Sequence, residues 1–189
     1  MYSPVLKAAF ESPHFVEGQT KTYKMDDTTE GTFQLFVQWH YTQSISRDVN
    51  VTNHVDMQDA MLSLLELWVL ADKLLIPTLQ NYVMFWINEH MVKCHDNGIK
   101  AGCFFIYTWE NTAEGSPLRR YFLDVAAWRE GLDKWMENSH IIFPNDFLRE
   151  LVIYLFVALP TGFREEQIAK RDVKEFMVPE TRGSLTLLI

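Results

Sequence analysis

Residues 66–81 read ELWVLADKLLIPTLQN. An apolar helical pattern runs into Ile76-Pro77 and resumes at once. Upstream, Met57, Met61, Leu64, Leu65, Trp68, Ala71 and Leu75 recur on one helical face, and Leu67, Leu70 and Leu74 widen it. A helix apolar over so much of its circumference belongs in a core with neighbours on more than one side. Pro77 has no N–H to donate and biases Ile76 away from helical geometry. The first helix is therefore expected to stop near Leu75, and a second to start with Pro77 in its first turn. The second carries Leu79, Tyr82, Val83, Trp86, Ile87 and Met91 at helical spacing. The proline reads as a corner between sequential neighbours in one helical cluster. Leu65, Trp68, Leu75, Leu79, Val83 and Trp86 are expected to be its core.

Other elements follow by the same rules. Ser3 can cap a helix with Pro4 in its first position, ending near Ser12-Pro13. Thr20–Met25 has the Thr/Tyr content of a short strand. Asp26, Asp27, Thr28 and Thr29 are candidate caps for a helix in which Phe33, Phe36, Val37, His40 and Tyr41 recur. Residues 43–56 read as a loop. Ala101–Trp109 forms a short apolar helix, followed by a turn over Asn111–Pro117. Ser116 caps a helix with Leu118, Phe122, Val125, Ala126 and the stem of Arg129 inside. After a loop over Asn138–Pro144, Asp146 caps another with Phe147, Leu148, Leu151, Val152, Leu155 and Phe156 inside. Residues 161–178 are densely charged, and the chain closes on the apolar SLTLLI.

Composition narrows the function. The 189 residues carry 17 basic and 25 acidic side chains, a net charge of −8. That balance repels nucleic-acid phosphates and acidic membranes, and no basic stripe offsets it locally. The longest apolar run, Leu151–Leu159, falls far short of the roughly 20 residues needed to span a bilayer. Two cysteines imply no disulfide framework and suit a reducing, intracellular compartment, cytoplasmic or nuclear.

Chemistry-bearing patterns are sparse. No serine or cysteine sits in a glycine-flanked elbow, and the scattered glycines form no phosphate-cradling loop. Asp26-Asp27 and Glu165-Glu166 read as capping and solvated carboxylates. His90, Cys94, His95 and Cys103 lack the tight paired spacing of a structural zinc site. The chain is read as non-enzymatic, with no catalytic, cofactor-binding or metal-ligating residue assigned. Alternatives are a small helical metal-binding protein or enzyme, or a truncated, non-functional paralogue of the family named next.

SPVLKAAF, FVEGQT, TYKMDD, FQLFVQWHYTQ and LWVLADKLLIPTLQN, in this order, resemble the BTB/POZ domain in its filamentous-fungal form. The resemblance covers about residues 3–92, and GSPLRRYFLDVAAW and FPNDFLRELV resemble the helical continuation of those proteins. It implies a mainly α (α+β) fold: a BTB/POZ-like helical cluster over 1–92 with a remnant strand, a helical extension over 93–160, and a charged tail over 161–189. The family's opening strand–helix–strand part has no counterpart before Ser3, and His40 stands where the family usually carries leucine. The resemblance further implies a protein-interaction module, without a catalytic centre, that joins other BTB proteins or acts as a substrate adaptor on a cullin-based ubiquitin ligase. Phe15-Val16-Glu17 matches the family's hydrophobic-x-acidic cullin-docking element, so Phe15 and Glu17 are the candidate protein-binding residues. The usual homodimer surface lies in the missing part. Its loss is expected to expose Leu6, Phe10 and the Leu67/Leu70/Leu74 edge.

Overall fold

A computed structural model describes residues 3–45, 54–96, 102–128 and 143–158. The protein is mainly helical, and no strand occurs among the described residues. The helices are α1 (Pro4–Glu11), α2 (Val16–Thr20), α3 (Glu30–Thr42), α4 (His54–Lys73), α5 (Pro77–Asp96), α6 (Gly102–Asn111), α7 (Pro117–Trp128) and α8 (Asn145–Ala158). α4 is the hub, packing on α5, α3 and α6, while α7 and α8 pack on each other and on α6. One buried apolar cluster runs from Leu35 in α3 to Leu151 in α8.

The corner is resolved in detail. α4 ends at Lys73 and α5 begins at Pro77. Leu75 adopts a left-handed conformation, φ 53°. Its N–H donates to the Asp72 carbonyl at 3.0 Å, and the Ile76 N–H reaches back to Ala71 at 2.9 Å. These are the paired bonds of a Schellman cap, with Leu75 where glycine is usual. Ile76 then opens α5, its carbonyl accepting from the Leu79 and Gln80 N–H groups at 3.1 Å. The Gln80 side-chain amide closes across the corner onto Asp72 at 2.9 Å.

Met57, Met61, Leu64, Leu65, Trp68 and Ala71 are buried on α4, as are Leu67 and Leu70. Leu79, Val83, Ile87 and Met91 are buried on α5. Leu75 is a correction: it is 57 % exposed, because the left-handed turn throws it outward and puts Leu74 and Ile76 into the core instead. Trp86 is only partly buried. Its indole N–H is nonetheless enclosed and has no acceptor among the described residues.

Two further expectations fail, and the α3 pattern holds only in part. Thr20–Met25 is not a strand: Thr20 closes α2, Lys21 turns left-handed at φ 55°, and no neighbouring segment offers a ladder. Tyr23 and Met25 pack on the core instead. On α3 the buried face is Thr32, Leu35, Phe36 and Trp39, whereas Phe33 is exposed and Tyr41 is 81 % exposed. The Leu67/Leu70/Leu74 edge is covered, and Leu6 and Phe10 are half-buried. α1 contributes to that cover, since its capping Ser3 is itself buried and its hydroxyl donates to the Leu74 carbonyl at 2.7 Å.

In α7 and α8, Leu118, Phe122, Ala126, Phe147 and Leu151 are buried as expected, and Ser116 caps α7 through Arg119 N–H at 3.2 Å. Val152 and Phe156 are corrections: both are exposed, because α8 turns Phe147 and Leu151 toward α6 and α7 and leaves that flank outside. The segment 43–56 becomes helical from His54. Arg129, most of the 138–144 loop, the charged 161–178 stretch and SLTLLI lie outside the described residues.

Two tests follow. Trp68→Ala empties a buried site and should cost about 3–5 kcal/mol in a denaturant titration; a loss below about 1 kcal/mol would place Trp68 at the surface. Leu75→Gly should stabilise, because a left-handed non-glycine residue costs roughly 1–2 kcal/mol and the exposed side chain buries little. A lower midpoint for this variant would refute the Schellman reading.

Candidate protein-interaction site

The candidate residues sit where α1 turns into α2. Ser12 leaves α1 in an extended conformation, and Pro13 prevents the helix from continuing. Phe15 is the N-terminal cap residue of α2, also extended. Its carbonyl accepts from Gly18 N–H at 3.1 Å and Gln19 N–H at 3.2 Å. Gly18 is obligatory here: a Cβ would stand 1.9 Å from the Ser12 carbonyl oxygen. α2 is thereby seated against the end of α1. Gln19 Nε2 donates to Pro13 O at 3.0 Å, and Lys21 Nζ to Phe10 O at 2.9 Å, closing the turn from both sides.

On this support Phe15 is 53 % and Val16 67 % exposed. The aromatic ring does not tuck under its loop. Glu17 is half-buried in the first turn of α2, where its charge suits the helix dipole. The turn thus presents two adjacent apolar side chains to solvent with a carboxylate beside them.

Among the described residues no group of three or more His, Cys, Asp and Glu could hold an ion. Cys94 is buried, and Cys103 accepts from Gln58 Nε2 at 3.2 Å. Burial pushes the Cys103 thiol up despite opposing hydrogen bonds. His90 Nδ1 lies 3.0 Å from the Trp86 carbonyl, and the His95 side chain lies outside the described residues.

A polar hollow went unread in the sequence. It has a volume of about 240 Å³ and lies between α4, α6 and the approach to α3. Thr29 is the cap that α3 uses, its hydroxyl accepting from Thr32 N–H. The same hydroxyl donates to Glu66 Oε2 at 2.5 Å, and Thr32 Oγ1 donates to that oxygen at 2.6 Å. Across the hollow stand Tyr107 and Asn111, whose Nδ2 donates to the Tyr107 carbonyl at 2.9 Å. Lys73 and Asp27 pair at the rim at 3.3 Å. A neighbouring hollow of about 230 Å³, lined by Tyr23, Met25 and Leu74, shares that rim. The threonines and Glu66 are 37 and 34 residues apart, so no local motif signals their meeting.

With this geometry in view, the chain was compared with known proteins: no protein-family model, no curated protein and no solved structure matches it. No helix among the described residues is long and apolar enough to cross a membrane.

Tyr107 gives the hollow a titration signature. Burial first, then the Glu66 charge, pushes its phenol up to about 12. Tyr121 is pushed up to about 12 by burial and then Asp124. An unfolded phenol titrates near ~10. The folded chain therefore holds these protons more tightly, and the associated stability is intact below about pH 10 and lost as pH rises toward about 12. Tyrosinate absorbance should show Tyr107 and Tyr121 titrating late. Glu66→Gln should lower the Tyr107 titration partway and leave Tyr121 unchanged; an unmoved Tyr107 would refute the coupling.

Proposed function

We propose that the chain is a non-catalytic protein-interaction module of the BTB/POZ kind its sequence resembles, and that it docks a cullin scaffold through Phe15, Val16 and Glu17. The observation that carries this reading is the exposure of Phe15 and Val16 side by side on a turn packed so closely on the end of α1 that Gly18 has no room for a Cβ. Single exposed apolar residues are ordinary. Two adjacent ones on a fixed backbone are an anchor that loses little freedom on binding. The net charge of −8 fits a protein partner rather than nucleic acid. Partners of this class are a cullin or another BTB protein, and the compartment that suits them is intracellular.

The test is calorimetry with a purified cullin N-terminal domain. Binding is expected. Phe15→Ala should weaken it about thirtyfold, the effect of losing an anchor worth ~2 kcal/mol, while the melting curve stays put. Equal affinity of the variant and the parent, or no binding to any cullin tested, would overturn the reading.

A further inference from the structure

The hollow beside Glu66 combines features that a packing defect would not need. Glu66 Oε2 is fixed by two threonine hydroxyls, while Oε1 has no hydrogen-bond partner among the described residues. Among the described residues no cation pairs with this carboxylate either; Lys73, the nearby base, pairs with Asp27 at the exposed rim. The lining therefore carries one uncompensated negative charge, held in place by its neighbours. Asn111 spends its amide N–H on the Tyr107 carbonyl, which leaves Oδ1 as an acceptor. The Tyr107 phenol also stands on the lining, and Val69 and Leu70 supply apolar wall.

Size and charge select the occupant. At about 240 Å³ the hollow is smaller than the roughly 300–1,000 Å³ of small-molecule and cofactor sites. An anion would meet Glu66. A metal ion would find no set of three ligands among the described residues. A single cationic side chain with an apolar stem fits each constraint: its charge meets Glu66, its remaining N–H groups meet Asn111 and Tyr107, and its methylenes lie on Val69 and Leu70. A guanidinium suits the position better than an ammonium, because it is more weakly hydrated, spreads its donors over a planar fork and packs on an aromatic ring.

We propose that this hollow receives an arginine side chain presented by a partner protein, with Glu66 Oε1 and Asn111 Oδ1 as its acceptors. This goes beyond the Phe15 surface but rests on the reading of the chain as a protein-interaction module. A small probe tests it without any cullin, so failure of one leaves the other standing.

The probe is butylguanidinium, titrated into the full chain while backbone and Asn111 side-chain amides are followed by NMR. Saturable shifts confined to the surroundings of Glu66, Tyr107 and Asn111 are expected, with butylammonium binding more weakly. Glu66→Gln should weaken butylguanidinium about tenfold, as expected for loss of one charge-assisted hydrogen bond. Circular dichroism checks that this variant keeps its helices. If it does not, Asn111→Leu, a near-isosteric change at an exposed position, serves instead and should weaken binding by removing the Oδ1 acceptor. Absence of saturable shifts, equal binding of the two probes, or undiminished binding by the variant that keeps its fold would overturn the assignment.

Discussion

The hydrogen bond from the buried Ser3 hydroxyl to the Leu74 carbonyl ties α1 to the end of α4, the helix on which α3, α5 and α6 pack. A helix that stops inside a core leaves carbonyls without partners, and each costs free energy unless something donates to it. Here the Schellman bonds take Ala71 and Asp72, and Ser3 takes Leu74. The same serine accepts from Leu6 N–H at 3.1 Å and so caps α1. One hydroxyl starts one helix and finishes another. With that end satisfied, α4 can stop in an apolar setting, α5 can return along it, and both bury apolar side chains on more than one side. Substituting Pro77 alone would not remove the corner, because the left-handed Leu75 and the Ala71 bond define it independently.

The second half of the molecule is held differently. Phe105 lies at the centre of a ring cluster, with Phe122 at 4.9 Å, Phe147 at 5.0 Å and Phe143 at 6.2 Å, all tilted edge-on. Beside it Arg119 is buried and pairs with buried Glu150 at 2.6 Å. The guanidinium also donates to the Trp109 and Thr112 carbonyls at 2.8 and 2.6 Å and to Thr112 Oγ1 at 3.1 Å, and it lies over the Trp109 ring. Trp109 Nε1 donates to the same Glu150 oxygen. A buried ion pair of this kind adds little net stability relative to an apolar replacement, since desolvation offsets the attraction. Its geometry joins three helices at one carboxylate oxygen: Glu150 Oε1 on α8 accepts from Trp109 on α6 and Arg119 on α7.

Where the sequence could be read, it was read from period. The α4 and α5 faces were legible because each helix carries a dense apolar stripe, and the break between them is written as Ile76-Pro77. Failure came where two stripes compete. On α3 helical spacing marks Phe33, Phe36, Val37, His40 and Tyr41, of which Phe36 is buried, whereas Leu35 and Trp39 complete the buried face. Periodicity cannot choose between the two stripes. The choice is made by polar contacts, with Thr32 facing Glu66 on α4 and Ile45 N–H donating to the Tyr82 hydroxyl on α5 at 3.0 Å. Leu75 misled because the cap spends one residue outside the helix and reverses its direction. Nothing in the sequence singles out Arg119 or Glu66, since Glu150 and the two threonines that they meet lie 31 or more residues away. Phe15 and Glu17 were found through resemblance, and nothing in their local pattern would have singled them out.

The Phe15 turn shares with the Leu75 corner a feature that exposed apolar positions within the longer helices do not need: a backbone held by contacts between elements. Tyr41 projects from the last turn of α3, and Val152 and Ile153 from the flank of α8. Those side chains stand on regular helix and need no special support. The Phe15 turn joins α1 to the short helix α2, and it is held by the close seating of Gly18 on Ser12, by Gln19 on Pro13 and by Lys21 on Phe10. A loop in water gains little by such restraint unless its shape is used, because ordering each residue costs about 1–2 kcal/mol of backbone entropy. Restraint set during folding is restraint that binding does not have to supply. A short turn holding two apolar side chains in solvent is therefore better matched to capture of a preformed groove or helix than to folding around a flexible partner.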